Sequence, residues 1–416
     1  MTEGFFHRLV RILGNRRMAA TLGYGFSSGI PLALTGSTLQ AWMSQEKVNL
    51  TTIGIFSLVG MPYTLKFLWS PFLDRYLPPV LGRRRGWILV LQILLALTIA
   101  LMAITSPSEQ AARMAMIAVM VAFLSASQDI VVDAWRTDTL LPEEYGLGSG
   151  AYVLGYRLAM LVSGALALIL ADLIPWKQVY LLMALSMGVG VVCTLLLAPE
   201  PETDPEARPH SLREAVVLPL FDFFKRKGSI EVLSFIVLYK LDVVVALALT
   251  TPFMLELGFT KTDIGAVNKG IGLVATIFGT LAGGALMTRM GMKRALWTFG
   301  ILQGLGNLLF LALAYTGHNY PLMVSAIATE NLLSGMGTAA YSAFLMSLCN
   351  KKFSATQYAL LTSLMALTRV VAGAPTGYMA ENLGWPAYFA VAISLMVPGL
   401  LLLTRYDRWA VTSKQA

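Results

Sequence analysis

Gly82-Arg-Arg-Arg-Gly-Trp-Ile-Leu-Val-Leu-Gln-Ile-Leu-Leu-Ala-Leu-Thr-Ile-Ala-Leu-Met-Ala103 sets three consecutive arginines at the mouth of an apolar run that carries no further charge. A bilayer core about 30 Å thick needs roughly 20 apolar helical residues per crossing, so the run is long enough to span and the arginines mark one of its ends. The whole chain repeats this composition. It is 56% apolar and 13% charged over 416 residues, against about 45–50% and 25% in soluble domains. Mean hydropathy is +0.67. A soluble enzyme of this size needs far more charge to cover its surface, so soluble enzymes and disordered chains are both excluded.

Working outward, twelve such stretches appear, near 18–43, 51–73, 86–105, 111–134, 147–172, 178–198, 230–254, 262–287, 295–316, 320–348, 355–380 and 385–404. The first is expected to stay as a span: it is long, glycine-rich and has no small-residue cleavage site ahead of a soluble domain. With the N-terminus placed inside, 22 of the 31 Lys and Arg fall on the cytoplasmic side. The outer loops keep only Lys47, Arg113, Lys177 and Lys261. That asymmetry orients the chain with both termini cytoplasmic and accounts for the net charge of +8 without any nucleic acid partner.

The polar stretch 199–229 separates six spans from six and serves as a linker between an N-terminal bundle (1–198) and a C-terminal bundle (230–416). The halves repeat weakly. Asp74-Arg75 followed by Gly82-Arg83-Arg84-Arg85 after span 2 returns as Thr288-Arg289 followed by Gly291-Met292-Lys293-Arg294 after span 8. The expectation is an all-α membrane protein of twelve helices in two pseudo-symmetric six-helix bundles, the layout of a secondary transporter, with spans 1, 4, 7 and 10 lining a central cavity. The loop after span 2 resembles the signature loop of the major facilitator superfamily, with Tyr76 to Leu81 as an insertion. Asp74, Arg75 and Arg84 are its conformational residues.

Charge inside the hydrocarbon is costly and is a functional hypothesis by default. Five cations remain there (Lys66, Arg157, Lys240, Lys269 and Arg369), against Asp129, Asp242 and Glu330, with Asp133 at the inner end of span 4. A surplus of positive charge suits an anionic cargo, and the acids suit proton coupling. Part of the set must instead pair structurally. On span 4, Ser125, Asp129 and Asp133 share one helix face. Two carboxylates one turn apart repel and favour sharing a proton, which makes Asp129, with Asp133 as its partner, the expected coupling site. The competing reading pairs Asp133 with Arg136. Glu330 and Lys240 lie near mid-membrane, with Asn331 beside Glu330. Asp242, about 200° around a continuous helix from Lys240, cannot share its face. Trp42 and Tyr63 either stack on sugar rings or anchor and pack the helices. Gly29 and the other glycines read as close packing. Cys193 and Cys349 offer no disulfide framework, and His7, His210 and His318 all lie in connecting segments, so neither a metal nor any cofactor beyond the proton gradient is expected.

Several runs then point to one family. They are Gly29-Ile-Pro-Leu-Ala-Leu-Thr, Thr38-Leu-Gln-Ala-Trp42, Phe56-Ser-Leu-Val-Gly60, Lys66-Phe-Leu-Trp-Ser-Pro71, Ser125-Ala-Ser-Gln-Asp-Ile-Val131, Val153-Leu-Gly-Tyr-Arg-Leu158, Val267-Asn-Lys-Gly-Ile-Gly272, Leu348-Cys-Asn-Lys and Phe353-Ser-Ala-Thr-Gln357. From span 1 to span 12 the chain resembles the AmpG muropeptide permeases of the major facilitator superfamily. The resemblance implies proton-coupled import of anhydro-muropeptides, N-acetylglucosaminyl-1,6-anhydro-N-acetylmuramic acid with or without peptide, across a Gram-negative inner membrane. It further implies a place in peptidoglycan recycling and β-lactamase induction. Importance passes by motif position to Gly29, Gln128, Asp129 and Asp133. In relatives the span 7 acid stands three residues after the lysine, whereas Lys240-Leu-Asp242 moves it by one, about 100°, and its role is not carried over. Relatives continue into two further spans, and transport is expected from the twelve read here. The expected partners are a small glycopeptide, protons and lipid, and the expected state is a monomer. The alternatives are a major facilitator transporter of a sugar phosphate, acyl-CoA or drug. A membrane enzyme would need a nucleophile–base set or metal ligands at depth, and the spans hold no histidine.

Overall fold

The computed structural model describes residues 14–48, 56–201, 212–226, 228–373 and 375–413. Arg8, Arg11, the start of span 2, most of the acidic linker, Lys227 and Lys414 lie outside the described residues. Among the described residues every regular element is helical. Eight helices there are long and apolar enough to cross a membrane, and they coincide with expected spans 3 to 9 and 12. Spans 10 and 11 are Tyr320–Leu348 and Ser354–Gly373, a bent pair broken at Cys349 and Asn350. Their outward faces are apolar: Leu97 is 62% exposed and Leu185 75%. That surface is stable only against lipid.

The other two spans are interrupted where the sequence supplies breakers. Span 1 runs as Arg16–Thr35, capped by the Asn15 side chain accepting from Arg17 N–H at 3.1 Å, and resumes after Gly36 as Ser37–Gln45. Span 2 comes as short turns, Phe56–Gly60, Met61–Leu65, Lys66–Leu68 and Ser70–Arg75, with Pro62 and Pro71 opening two of them. Proline lacks the N–H that a continuous helix requires at those positions. The weak repeat has a geometric counterpart. Gly82 (φ 74°) and Gly291 (φ 79°) are left-handed residues immediately before the helices of spans 3 and 9, a conformation glycine adopts without a Cβ penalty.

The chain packs as two compact units, one of 1–141, 151–219 and 349–363, the other of 142–150, 220–348 and 364–416. In the first, Tyr24 and Trp135 meet edge-on at 4.9 Å in a core filled by spans 1, 3, 4 and 6. Spans 1 and 5 approach so closely that a Cβ on Gly29 would lie 2.5 Å from the Tyr156 carbonyl oxygen and 2.7 Å from the Ala159 Cβ. The packing reading of Gly29 follows from that distance. In the second, Phe253, Phe310 and Phe389 form an aromatic core between spans 7, 9 and 12, with Phe310 and Phe389 stacked at 5.6 Å. Span 7 is broken into Ser229–Leu238, Leu241–Ala248 and Thr250–Glu256, and Lys240 stands at the first break with φ −108° and ψ 6°.

Candidate functional site

Two polar clusters lie within the spanning segments, one in each unit. In the first unit, a short turn of span 2 places Lys66 beside span 4. Its ammonium lies 3.8 Å from Asp133 Oδ2, and Arg136 Nη1 lies 3.1 Å from Asp133 Oδ1. The Arg136 guanidinium covers the Tyr152 ring at 4.3 Å. Asp129, one turn along the same helix, faces Lys66, Ser28 and Tyr152, and Tyr63 lies near Ser125 and Asp129. Asp133 does pair with Arg136, and with Lys66 as well, while Asp129 keeps Oδ1 without a hydrogen-bond partner. Gln128 meets this group through Ser28. It is fully buried, and its amide donates to Ser27 Oγ at 3.2 Å and Ser28 Oγ at 3.3 Å. Gln92 extends the chain through Thr194, whose hydroxyl donates to Gln92 Oε1 at 2.8 Å. This network ties spans 1, 3, 4 and 6 together.

The second cluster forms around the break in span 7. The Lys240 ammonium donates to Gln303 Oε1 at 3.2 Å. Both Asp242 and Glu330 lie within electrostatic reach of Lys240. The helical-wheel argument that kept Asp242 off the Lys240 face presumes a continuous helix, and span 7 is broken at Lys240. Asp242 is 2% exposed and Glu330 5%, and each keeps one carboxylate oxygen without a hydrogen-bond partner. Asn331, next to Glu330, turns instead to span 8, accepting from Thr276 Oγ1 at 2.9 Å while its own amide donates to the Ile327 carbonyl at 2.9 Å.

The loop residues build a third group, inside the first unit. Arg84 is enclosed. Its Nη2 lies 3.0 Å from Asp74 Oδ1 and its Nε 2.8 Å from Asp138 Oδ2, and Nη2 also donates to Ser354 Oγ at 2.7 Å. Asp74 Oδ2 accepts from Thr356 N–H at 2.8 Å and Oγ1 at 2.7 Å, at the start of span 11. Arg75 takes no part and lies over the Tyr76 ring at 5.2 Å. Glu200 caps span 3 by accepting from the backbone N–H of Arg84 and Arg85, each at 3.1 Å.

The remaining expected residues stand apart. Trp42 is 4% exposed; its indole donates to Glu46 Oε1 at 2.7 Å and its ring stacks on Trp176 at 5.8 Å, which is helix packing at a span end. Arg157 is half-buried, while Lys269, in the π-helical turn Val267–Gly272, and Arg369 are exposed. No ion pair forms to these three among the described residues. Among the described residues no cluster of acids, His and Cys is arranged for a metal. Ser354 and Thr356, from the run 353–357, belong to these groups, as do Gln303 and Asp138, which were not singled out in the sequence. Searching the spans for amides as well as charges finds Gln303 and Asn307, four residues apart on span 9.

A family model described as Major Facilitator Superfamily matches residues 18–373 and, a second time, 232–415. The anhydromuropeptide permease of Escherichia coli strain K12 is 52% identical over 396 residues, covering 95% of this chain and 80% of that one. A putative transporter AmpG 1 of Rickettsia conorii is 31% identical, covering 95% of this chain and 99% of that one. Among solved structures, the proton:xylose symporter XylE superposes with a TM-score of 0.68 at 9% identity, covering 94% of both chains, a likeness of fold alone. A twofold match to one family model, a helical fold with long apolar spans, and relatives aligned over 95% of the chain agree: the chain is a multi-pass membrane protein of the major facilitator superfamily and belongs within it to the AmpG permease family.

Proposed function

We propose that the chain imports anhydro-muropeptides across the bacterial inner membrane, driven by protons. The observation that carries this reading is the 52% identity, over 95% of the chain, to a protein named anhydromuropeptide permease. The cargo is the N-acetylglucosaminyl-1,6-anhydro-N-acetylmuramic acid disaccharide with or without its peptide. The halves 1–198 and 230–416, joined by 199–229, alternate access with both termini cytoplasmic. Cargo carboxylates suit the unpaired cations Arg157, Lys269 and Arg369, and the sugar rings suit Tyr63. Lys66 and Lys240, held by acids and Gln303, act on cargo through those partners. Asp129, Asp133 and Glu330 are the coupling carboxylates to test, and no cofactor is required.

The test is uptake of labelled anhydro-disaccharide and its peptide-bearing form into proteoliposomes holding the full chain, with the pH gradient imposed, clamped or reversed. Accumulation above the outside concentration only with an inward proton gradient supports the reading. Equilibration regardless of gradient, or no recognition of either compound, overturns it.

A further inference from the structure

The two intramembrane clusters differ in charge balance. In the first unit Lys66 and Arg136 both pair with Asp133, and Asp129 faces Lys66 while its Oδ1 keeps no hydrogen-bond partner, so two cations stand against two acids. In the second, Lys240 alone answers two carboxylates, Asp242 and Glu330, both more than nine-tenths buried. Span 8, packed on span 10, carries the exposed Lys269, and span 12, packed on span 7, carries Tyr388, which donates to the Val245 carbonyl. Span 7 adds Tyr239, whose hydroxyl donates to the Leu296 carbonyl at 2.8 Å. Span 10 adds Tyr341, which donates to the Ile236 carbonyl at 2.7 Å. Span 9 contributes only the amides Gln303 and Asn307. Both are buried, at 3% and 1% exposure, and each leaves its amide nitrogen unpartnered. A buried carboxylate with no counter-charge costs several kcal/mol unless a proton neutralises it. The surplus acid and the unpartnered donors and acceptors thus define a site that takes a proton and ordered water.

Gln303 has a definite orientation here. Its carbonyl oxygen faces the Lys240 ammonium, so its NH2 points onward. Span 10 leaves room for this contact at Gly337, where a Cβ would lie 2.8 Å from Gln303 Oε1 and 3.2 Å from Lys240 Nζ. We propose that the second unit holds one buried, exchangeable proton on the Asp242–Glu330 pair, and that Gln303 is a positioning residue that sets its place by fixing the Lys240 ammonium beside Gly337. The proton sits on one of the two carboxyls, and it leaves to water when the site opens. The step from this bound proton to cargo movement rests on the proton-coupled reading above.

Two readouts on the full chain in lipid vesicles test this. Infrared difference spectra across a pH titration read the protonated carboxyl stretch directly and require no transport. A titrating carboxyl band in the wild type, absent in Glu330→Gln and displaced by about one pH unit in Gln303→Met, is the expected result. The amide-retaining Gln303→Asn should restore most of the shift. In proteoliposomes Gln303→Met should lose about tenfold in pH-driven accumulation of labelled anhydro-disaccharide, while exchange at equal concentrations and equal pH falls by less. Gly337→Ala, which crowds the same contact from span 10, should reproduce the displaced titration. A band unaltered by Glu330→Gln and Gln303→Met alike, or a Gln303→Met pH profile that superposes on wild type with only a lower maximum rate, overturns the proposal. A titrating band with pH-indifferent uptake leaves the proton site standing and rejects the proton-coupled function instead.

Discussion

Replacing Arg84 with Met tests whether the loop after span 2 is held by charge. The Arg84 side chain is 0% exposed, and so is that of Asp74, while Asp138 is 1% exposed. Removing the guanidinium takes the ion-pair partner from two buried carboxylates, with Arg83 left within electrostatic reach of Asp138. Asp74 keeps its two bonds from Thr356, but Asp138 loses its 2.8 Å partner. Breaking a buried pair from one side costs about 3–5 kcal/mol, which is more than a hundredfold in the folded ratio. The shift should be read as a change in the chemical unfolding midpoint of the purified protein in micelles. It should persist when salt is raised to about 1 M, because enclosed charges are poorly screened. Arg84→Lys keeps the charge but loses the planar fork that reaches both acids, so it should fall between wild type and Met. The triple variant Arg84→Met, Asp74→Asn, Asp138→Asn removes the stranded charges and should recover most of the loss. A single Arg84→Met within about 1 kcal/mol of wild type would refute the reasoning. So would a triple variant as unstable as the single one, since charge would then not be what makes Arg84 matter.

Trp409, 3% exposed, packs on Phe235 at 5.4 Å and donates to Glu231 at 3.0 Å; Trp409→Ala should cost the second unit about 3–5 kcal/mol in the same unfolding measurement. Partial burial pushes the Glu46 carboxyl upward, but bonds from Ser108, Trp42 and Ser106 prevail and hold it below its ordinary 4.5. A depressed carboxylate contributes stability above its unfolded value and loses it as pH falls through the folded one. Glu46→Gln should therefore be less stable than wild type at neutral pH, with the two curves converging as acid protonates the folded carboxyl below its ordinary range; parallel curves would exclude the mechanism. Lys269→Met and Arg369→Met should each weaken peptide-bearing cargo about two- to fivefold, by competition uptake, and leave the peptide-free disaccharide nearly unchanged.

The fold was legible because each span must satisfy its own backbone in lipid, which forces long apolar stretches with cations at their ends. Spans 3 to 9 and 12 stand where hydropathy puts them. Spans 1 and 2 were less legible in detail, since a hydropathy stretch does not register that Gly36, Pro62 and Pro71 divide the helix. The same limit applies to Asp242. The 100° per residue rule holds only along an unbroken helix, and the break at Lys240 cancels it. Amides escaped attention because a search for charge passes over them. Gln128, Gln92 and Gln303 nonetheless carry the polar contacts between helices.

Counting five intramembrane cations against three acids suggested a general positive surplus, but a count along the chain does not say which charges meet. With Lys66 and Arg136 both on Asp133 and Asp129 beside Lys66, the first cluster holds as many acids as cations and has little to offer a free anion. The second runs the other way, with Lys240 outnumbered by Asp242 and Glu330. The cations left for cargo are Arg157, Lys269 and Arg369, half-buried or exposed, where a charge keeps its water until an anion replaces it. In the proton-coupled reading proposed above, this partition separates the two tasks of a symporter. Recognition would fall to the cations that form no ion pair among the described residues, and proton binding to the buried acids that outnumber Lys240. Lys240→Met would then act on the proton and not on cargo charge, weakening peptide-bearing and peptide-free cargo alike. A selective loss of the peptide-bearing form would return Lys240 to the recognition surface and undo the separation.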